Sequence, residues 1–126
     1  MDFELTEHQR AFQDTARSFA RERLLPHAGR WDEERHFPAE ELRAAAALGF
    51  AGVYIDEAHG GTGLTRVDAA LVFEELACAD PSTAAFLTIH NMVGWMFSRF
   101  GNDEQRARLL PKVISCLLYT SDAADE

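Results

Sequence analysis

The glycine-rich run "HGGTG", His59–Gly63, is the stretch whose residue types come closest to chemistry. A His-Gly-Gly loop can present backbone N–H groups to an oxyanion in hydrolases, but that needs a nucleophile elbow of the form G-x-S-x-G. The sequence has none. No Gly-Lys-Ser/Thr follows, so it is not a phosphate loop, and the spacing is not that of a dinucleotide fingerprint. The expected role is a tight connection whose glycines adopt positive φ. The histidines stand at positions 8, 27, 36, 59 and 90, with no H-x-x-x-H pair, so no metal pair is expected on a helix. His90 reads instead as a hydrogen-bonded core histidine. Asp32, Glu33 and Glu34 read as a solvated helix end. No nucleophile–base pair is evident, and Cys78 and Cys116 form neither a disulfide framework nor a metal spacing.

Composition narrows the class. Of the 126 residues, 47% are hydrophobic and 26% charged, the balance of an ordinary globular domain. The net charge of −9 offers no phosphate-neutralising surface, so no nucleic-acid partner is expected. The N-terminus "MDFELTEHQR" shows no basic region leading into an apolar run. With the sparse cysteines, this gives an expected cytoplasmic setting.

The elements that must carry these residues read as helices. Thr6 with Gln9 is a capping-box pattern, and Phe12, Ala16, Phe19 and Ala20 recur on one face behind it. Pro26 should break or bend this helix, with a second piece running to about Glu34. Pro38 stands at an expected first helical position and Gly49 just past the last turn of the same helix. "GVYI", Gly52–Ile55, is short and β-branched and is expected to be extended. Thr65 and Asp68 open the next helix, Asp80 and Pro81 cap another that ends at Gly101, and Asp103–Leu110 is the last. The fold class expected is all-α.

The helix within "STAAFLTIHNMVGWMFSRFGN", Ser82–Asn102, stands out. Phe86, Ile89, Met92, Val93, Met96, Phe97 and Phe100 form a broad apolar band, and Arg99 is its one formal charge. Such a helix belongs inside something large or inside a membrane. Thr88, His90, Asn91, Ser98 and Arg99 interrupt it well short of the ~18 apolar residues a span needs, so no membrane partner is expected.

The order "LTEHQRAFQDTARSFARERLLPHAGRWDEERHFPAEELRAAAALGFAGVYI", "HGGTGL", "VFEELACADPSTAAF" and "FGNDEQRARLLPK" resembles the N-terminal helical domain of the acyl-CoA dehydrogenases over about residues 3–115. "LGFAGVYI", "GGTGLTRVD" and the Ser82–Asn102 stretch are most similar to the branch acting on isobutyryl-CoA in valine breakdown. Many members carry a proline at the place of Asp56 and an aromatic at that of His59. The resemblance implies that residues 1–115 form this domain and that FAD is the cofactor. It also implies an acyl-CoA substrate, an electron-transfer flavoprotein as electron acceptor, and a homotetramer for the complete enzyme. It makes Ala85, Thr88 and Met92 acyl-pocket residues, with Trp95 on the same stripe; the alternative for all four is plain core. The family's flavin motif and its catalytic glutamate match nothing after Lys112. "CLLYTSDAADE", residues 116–126, has no family counterpart and reads as a non-native tail. Two other readings are a stand-alone helical interaction module without catalysis and a relative such as an acyl-CoA oxidase.

Overall fold

The computed structural model describes residues 2–118. Helix α1, Glu7–Phe19, starts at a complete capping box, in which Thr6 Oγ1 accepts from the Gln9 N–H and Gln9 Oε1 from the Thr6 N–H. Helix α4, Arg66–Ala79, starts the same way, with Asp68 answering Thr65. The two boxes touch, because Gln9 Nε2 donates to Asp68 Oδ1 at 3.1 Å. Farther along the same helices Arg17 grips Glu75 with two hydrogen bonds, of 3.1 and 2.7 Å. Contacts at both levels make α1 and α4 parallel neighbours.

Between them the chain makes a detour. After α1 it widens into a π-helical turn, Ala20–Leu24, closed by the Leu25 N–H on the Ala20 carbonyl. Pro26 follows, and it has no N–H to continue an α-helix. Helix α2, Ala28–Glu34, then restarts as the proline predicted. Helix α3, Ala39–Ala47, begins one residue later than expected, with Pro38 as its N-cap. It ends with Gly49 at φ 89°, where the Phe50 N–H reaches the Ala45 carbonyl and the Gly49 N–H the Ala46 carbonyl. This is the left-handed helix stop that glycine makes at little steric cost.

The expected strand at "GVYI" is not formed. Residues 48–55 run as turns, and Val53 and Ile55 are buried. The carbonyls of Gly52, Val53 and Ile55 take the N–H groups of Thr62, Leu64 and Gly63, folding the segment onto the glycine loop. β-branched propensity yields here to packing, as it does when no partner strand exists.

Helix α5, Pro81–Phe100, packs on α4, and α6, Asp103–Ile114, packs on α5. Asp80 caps α5 through the Ser82 N–H with Pro81 at the first position, and Gly101 ends it. Helix α6 passes through Pro111 rather than stopping at Leu110, because Leu110 and Val113 are both buried against the domain. Every regular element among the described residues is helical, so the all-α expectation holds. Leu24, Leu42, Leu76 and Leu87 sit at the centre. Of the stretch expected as a tail from residue 116, Cys116 is packed into this core, and residues 119–126 lie outside the described residues.

Candidate functional site

The glycine loop has the irregular form expected, with Gly60 at φ 88° and Gly63 at φ 70°. Its N–H groups are all engaged. Gly60, Gly61, Thr62, Gly63 and Leu64 donate to the carbonyls of Glu57, Asp56, Gly52, Ile55 and Val53. No donor pair is left to hold an oxyanion, which removes the hydrolase reading on geometry. The structure does bring together one histidine and one serine that the sequence keeps apart. His59 Nδ1 and Ser98 Oγ share a 2.7 Å hydrogen bond. Ser98 is buried on α5, and among the described residues no carboxylate hydrogen-bonds the His59 ring to orient it. It serves as a strut between the loop and α5.

Helix α5 is packed the other way round from what its composition suggests. Its buried face carries Thr83, Ala84, Leu87, His90, Asn91, Gly94 and Ser98, most of them polar or small. These groups are satisfied. Asn91 Oδ1 accepts from the Val53 N–H at 2.7 Å, and its Nδ2 donates to the Phe50 and Leu87 carbonyls at 2.8 Å each. His90 Nε2 donates to the Val113 carbonyl at 2.6 Å, as the core reading required. Burial holds the imidazole below its ordinary pKa, against the pull of that carbonyl. Burial likewise pushes the neighbouring Cys116 thiol up to about 11. Gly94 is needed for close approach, since a Cβ there would lie 2.8 Å from the Ile55 side chain.

The opposite face is apolar and open. Ile89, Met92, Met96 and Phe100 are 43, 44, 47 and 74% exposed. Ala85, Thr88 and Met92 all lie on this face, and Trp95 stands half-buried at its edge. None of the three is a core residue of this domain. Thr88 Oγ1 bonds back to the Ala84 carbonyl at 2.8 Å, which leaves its methyl group to complete the apolar surface. Single exposed apolar residues are ordinary, but four large ones on one helix face mark a contact surface. At the same edge the Arg66 guanidinium lies 3.9 Å from the Tyr54 ring centre and 4.9 Å from that of Trp95. Sequence reading missed the Asn91 clamp, the His59–Ser98 strut and this stacked trio. Each joins segments far apart in the chain, and no local pattern announces them.

Among the described residues no three metal-ligating side chains gather, and no helix is long and apolar enough to cross a membrane. The architecture and the open face define a helical domain that presents one apolar helix surface to something outside it.

The chain belongs to the acyl-CoA dehydrogenase family: the model of the family's N-terminal domain matches residues 6–116. It is 48% identical over 111 residues to an isobutyryl-CoA dehydrogenase, named mitochondrial, of Dictyostelium discoideum. That match covers 88% of this chain and 27% of the relative, so the chain spans about a quarter of the relative's length. Among solved structures, a complex of glutaryl-coenzyme A dehydrogenase with glutaryl-CoA superposes with a TM-score of 0.89 at 30% identity, over 94% of this chain and 31% of that one. The protein PigA with FAD and proline superposes with a TM-score of 0.87 at 27% identity, over 94% of this chain and 32% of that one. The same helical fold therefore accompanies quite different ligands, and the fold alone does not choose among them.

Proposed function

We propose that this chain is the N-terminal domain of a flavin-dependent dehydrogenase that introduces an α,β double bond into a short branched acyl-CoA, isobutyryl-CoA in the first place. The observation that carries the proposal is the open apolar face of α5, with Ala85, Thr88 and Met92 on it. That face is suited to an acyl chain and unsuited to water. Met92 and Trp95 are large and shorten the space left for the acyl group, which suits a compact branched one. The 48% identity to the Dictyostelium isobutyryl-CoA dehydrogenase supports the same choice.

In this reading the chain's own part is steric and dielectric. The outer face of α5 walls the acyl group and excludes water from the reacting carbons, and excluding water strengthens electrostatic stabilisation of the charge that develops there. The cofactor, FAD, supplies the hydride acceptor. The N–H groups of the glycine loop are spent on main-chain carbonyls, so that loop offers no cradle for a flavin phosphate, and no flavin contact is assigned to this chain. The α-proton base and the carbonyl donors are likewise assigned to parts of the enzyme outside it. A homotetramer, an electron-transfer flavoprotein as acceptor and a cytoplasmic setting complete the proposal. Fractionation of cells expressing the whole enzyme decides between the cytoplasm and the mitochondrion named for the relative.

The test joins residues 2–118 to the remaining part of the Dictyostelium isobutyryl-CoA dehydrogenase. The hybrid should bind flavin and oxidise isobutyryl-CoA in a dye-coupled assay, whereas the chain alone should do neither. In the hybrid Met92→Ala should shift the ratio of kcat/KM for isobutyryl-CoA over hexanoyl-CoA by at least about tenfold toward hexanoyl-CoA, the scale of removing a methylene-sized wall. Turnover by the chain alone, or a ratio indifferent to Met92, would overturn the reading.

A further inference from the structure

Arg66 is the first residue of α4, where the helix macrodipole is least favourable to a cation. The ion pairs among the described residues use Arg10, Arg17, Arg106 and Arg108, and none involves Arg66. Its guanidinium lies instead over two aromatic rings, Tyr54 of the turn segment and Trp95 of α5. One side chain thus joins three segments. Phe100 approaches the indole edge-on at 5.9 Å and 84°. A flat guanidinium suits this stacking, and an ammonium does not reproduce it.

Trp95 stands three residues past Met92 and seven past Thr88, so its indole borders the face they form. The indole is only half-buried, so core packing does not enclose it and its orientation rests on the neighbours that touch it. We propose that Arg66 is a specificity-positioning residue: by stacking on Trp95 it fixes the indole as the side wall of the Ala85–Thr88–Met92 face and so sets the width of acyl group accepted there. The proposal rests on the acyl-face reading above. It makes Arg66 act through Trp95 and gives it no contact with substrate.

The first measurement needs only the chain labelled with 5-fluorotryptophan, whose two tryptophans, Trp31 and Trp95, give two fluorine signals assigned by Trp95→Phe. Arg66→Met should shift and broaden the Trp95 signal, and Arg66→Lys should restore it only in part. The Trp31 signal, from a buried indole of the core cluster with no contact to Arg66 among its ring neighbours, should stay in place and shows that the domain is folded. The second measurement uses the hybrid flavoprotein. Arg66→Met should move the isobutyryl-to-hexanoyl ratio of kcat/KM by about threefold or more toward hexanoyl-CoA, the scale of one cation–π contact. An unmoved Trp95 signal overturns the proposal. So does a moved signal with an unmoved ratio, in a hybrid where Met92→Ala does shift the ratio. If Met92→Ala also leaves the ratio unmoved, the acyl-face reading itself falls and takes this inference with it.

Discussion

Two residues of α5, five positions apart, should lose very different amounts of stability to the same truncation. Leu87 is fully buried on the inner face, and Met92 is 44% exposed on the outer one. Leu87→Ala removes buried methylenes and leaves a cavity closed on all sides, a loss of about 2–5 kcal/mol. Full burial of a Met side chain is worth about 1.5–3 kcal/mol. Met92 has only part of that to lose, and its open side leaves no closed cavity, so Met92→Ala should cost about 1 kcal/mol or less. With a urea slope of about 1.5 kcal/mol per molar, the midpoint should fall by more than about 1.3 M for Leu87→Ala and by less than about 0.7 M for Met92→Ala. The assay is urea unfolding of the chain at two protein concentrations, followed by far-UV circular dichroism. Equal midpoint losses at both concentrations would refute the assignment of inner and outer faces. Equal losses that grow with concentration would show the outer face buried by self-association, and the reasoning from the single chain would fail there too.

Asn91→Ala should cost about 2–6 kcal/mol, because it strands the buried Val53 N–H and Phe50 carbonyl at about 1–3 kcal/mol each. A loss in melting experiments smaller than about 1 kcal/mol would mean that the turn segment is held some other way. Acid should weaken the domain in two stages. The folded pKa of His90 is depressed, so its contribution is full above the ordinary value of 6.5 and falls as pH drops below it. Asp68 follows lower down: burial opposes its ionisation, but the hydrogen bonds from Thr65 and Gln9 outweigh it and hold the folded pKa below 3.8. Its contribution is present above that value and is lost as pH falls through the folded pKa. His90→Gln should remove the first stage from a plot of urea midpoint against pH while leaving the second.

The helix ends were legible because their chemistry is local. Thr6 with Gln9, Thr65 with Asp68, and Asp80 with Pro81 each announce a start within four residues, and each start is where it was expected. Elements decided by distant contacts were not legible. "GVYI" has strand propensity but is turned by its bonds to Asn91 and to the glycine loop. The last helix is expected to end at Leu110, yet it runs on through Pro111 to Ile114, and Val113 is held in the core. The apolar band of α5 was plain in the sequence, but periodicity shows that a face is apolar and not whether this chain or another covers it. In the sequence the amide and hydroxyl of the opposite face, Asn91 and Ser98, stand only as polar interruptions of the apolar run, and their partners in the 48–64 segment show only in the fold.

The Asn91 clamp bears on how the domain can vary. Its amide grips only main-chain atoms: one N–H and two carbonyls. The glycine loop is held in the same way, N–H to C=O, from Gly60 to Leu64. Main-chain grips are blind to side-chain identity. The exposed members of the turn segment, Asp56 to Ala58 among them, are therefore free to change while the path of the backbone is kept, whereas Asn91 itself has no ready substitute of its length, since the hydroxyl of Ser or Thr has one donor where the amide uses two beside its acceptor. Departures such as Asp56 in place of the proline of many family members fall in the tolerant part, so relatives can diverge in this loop without the helices behind it moving.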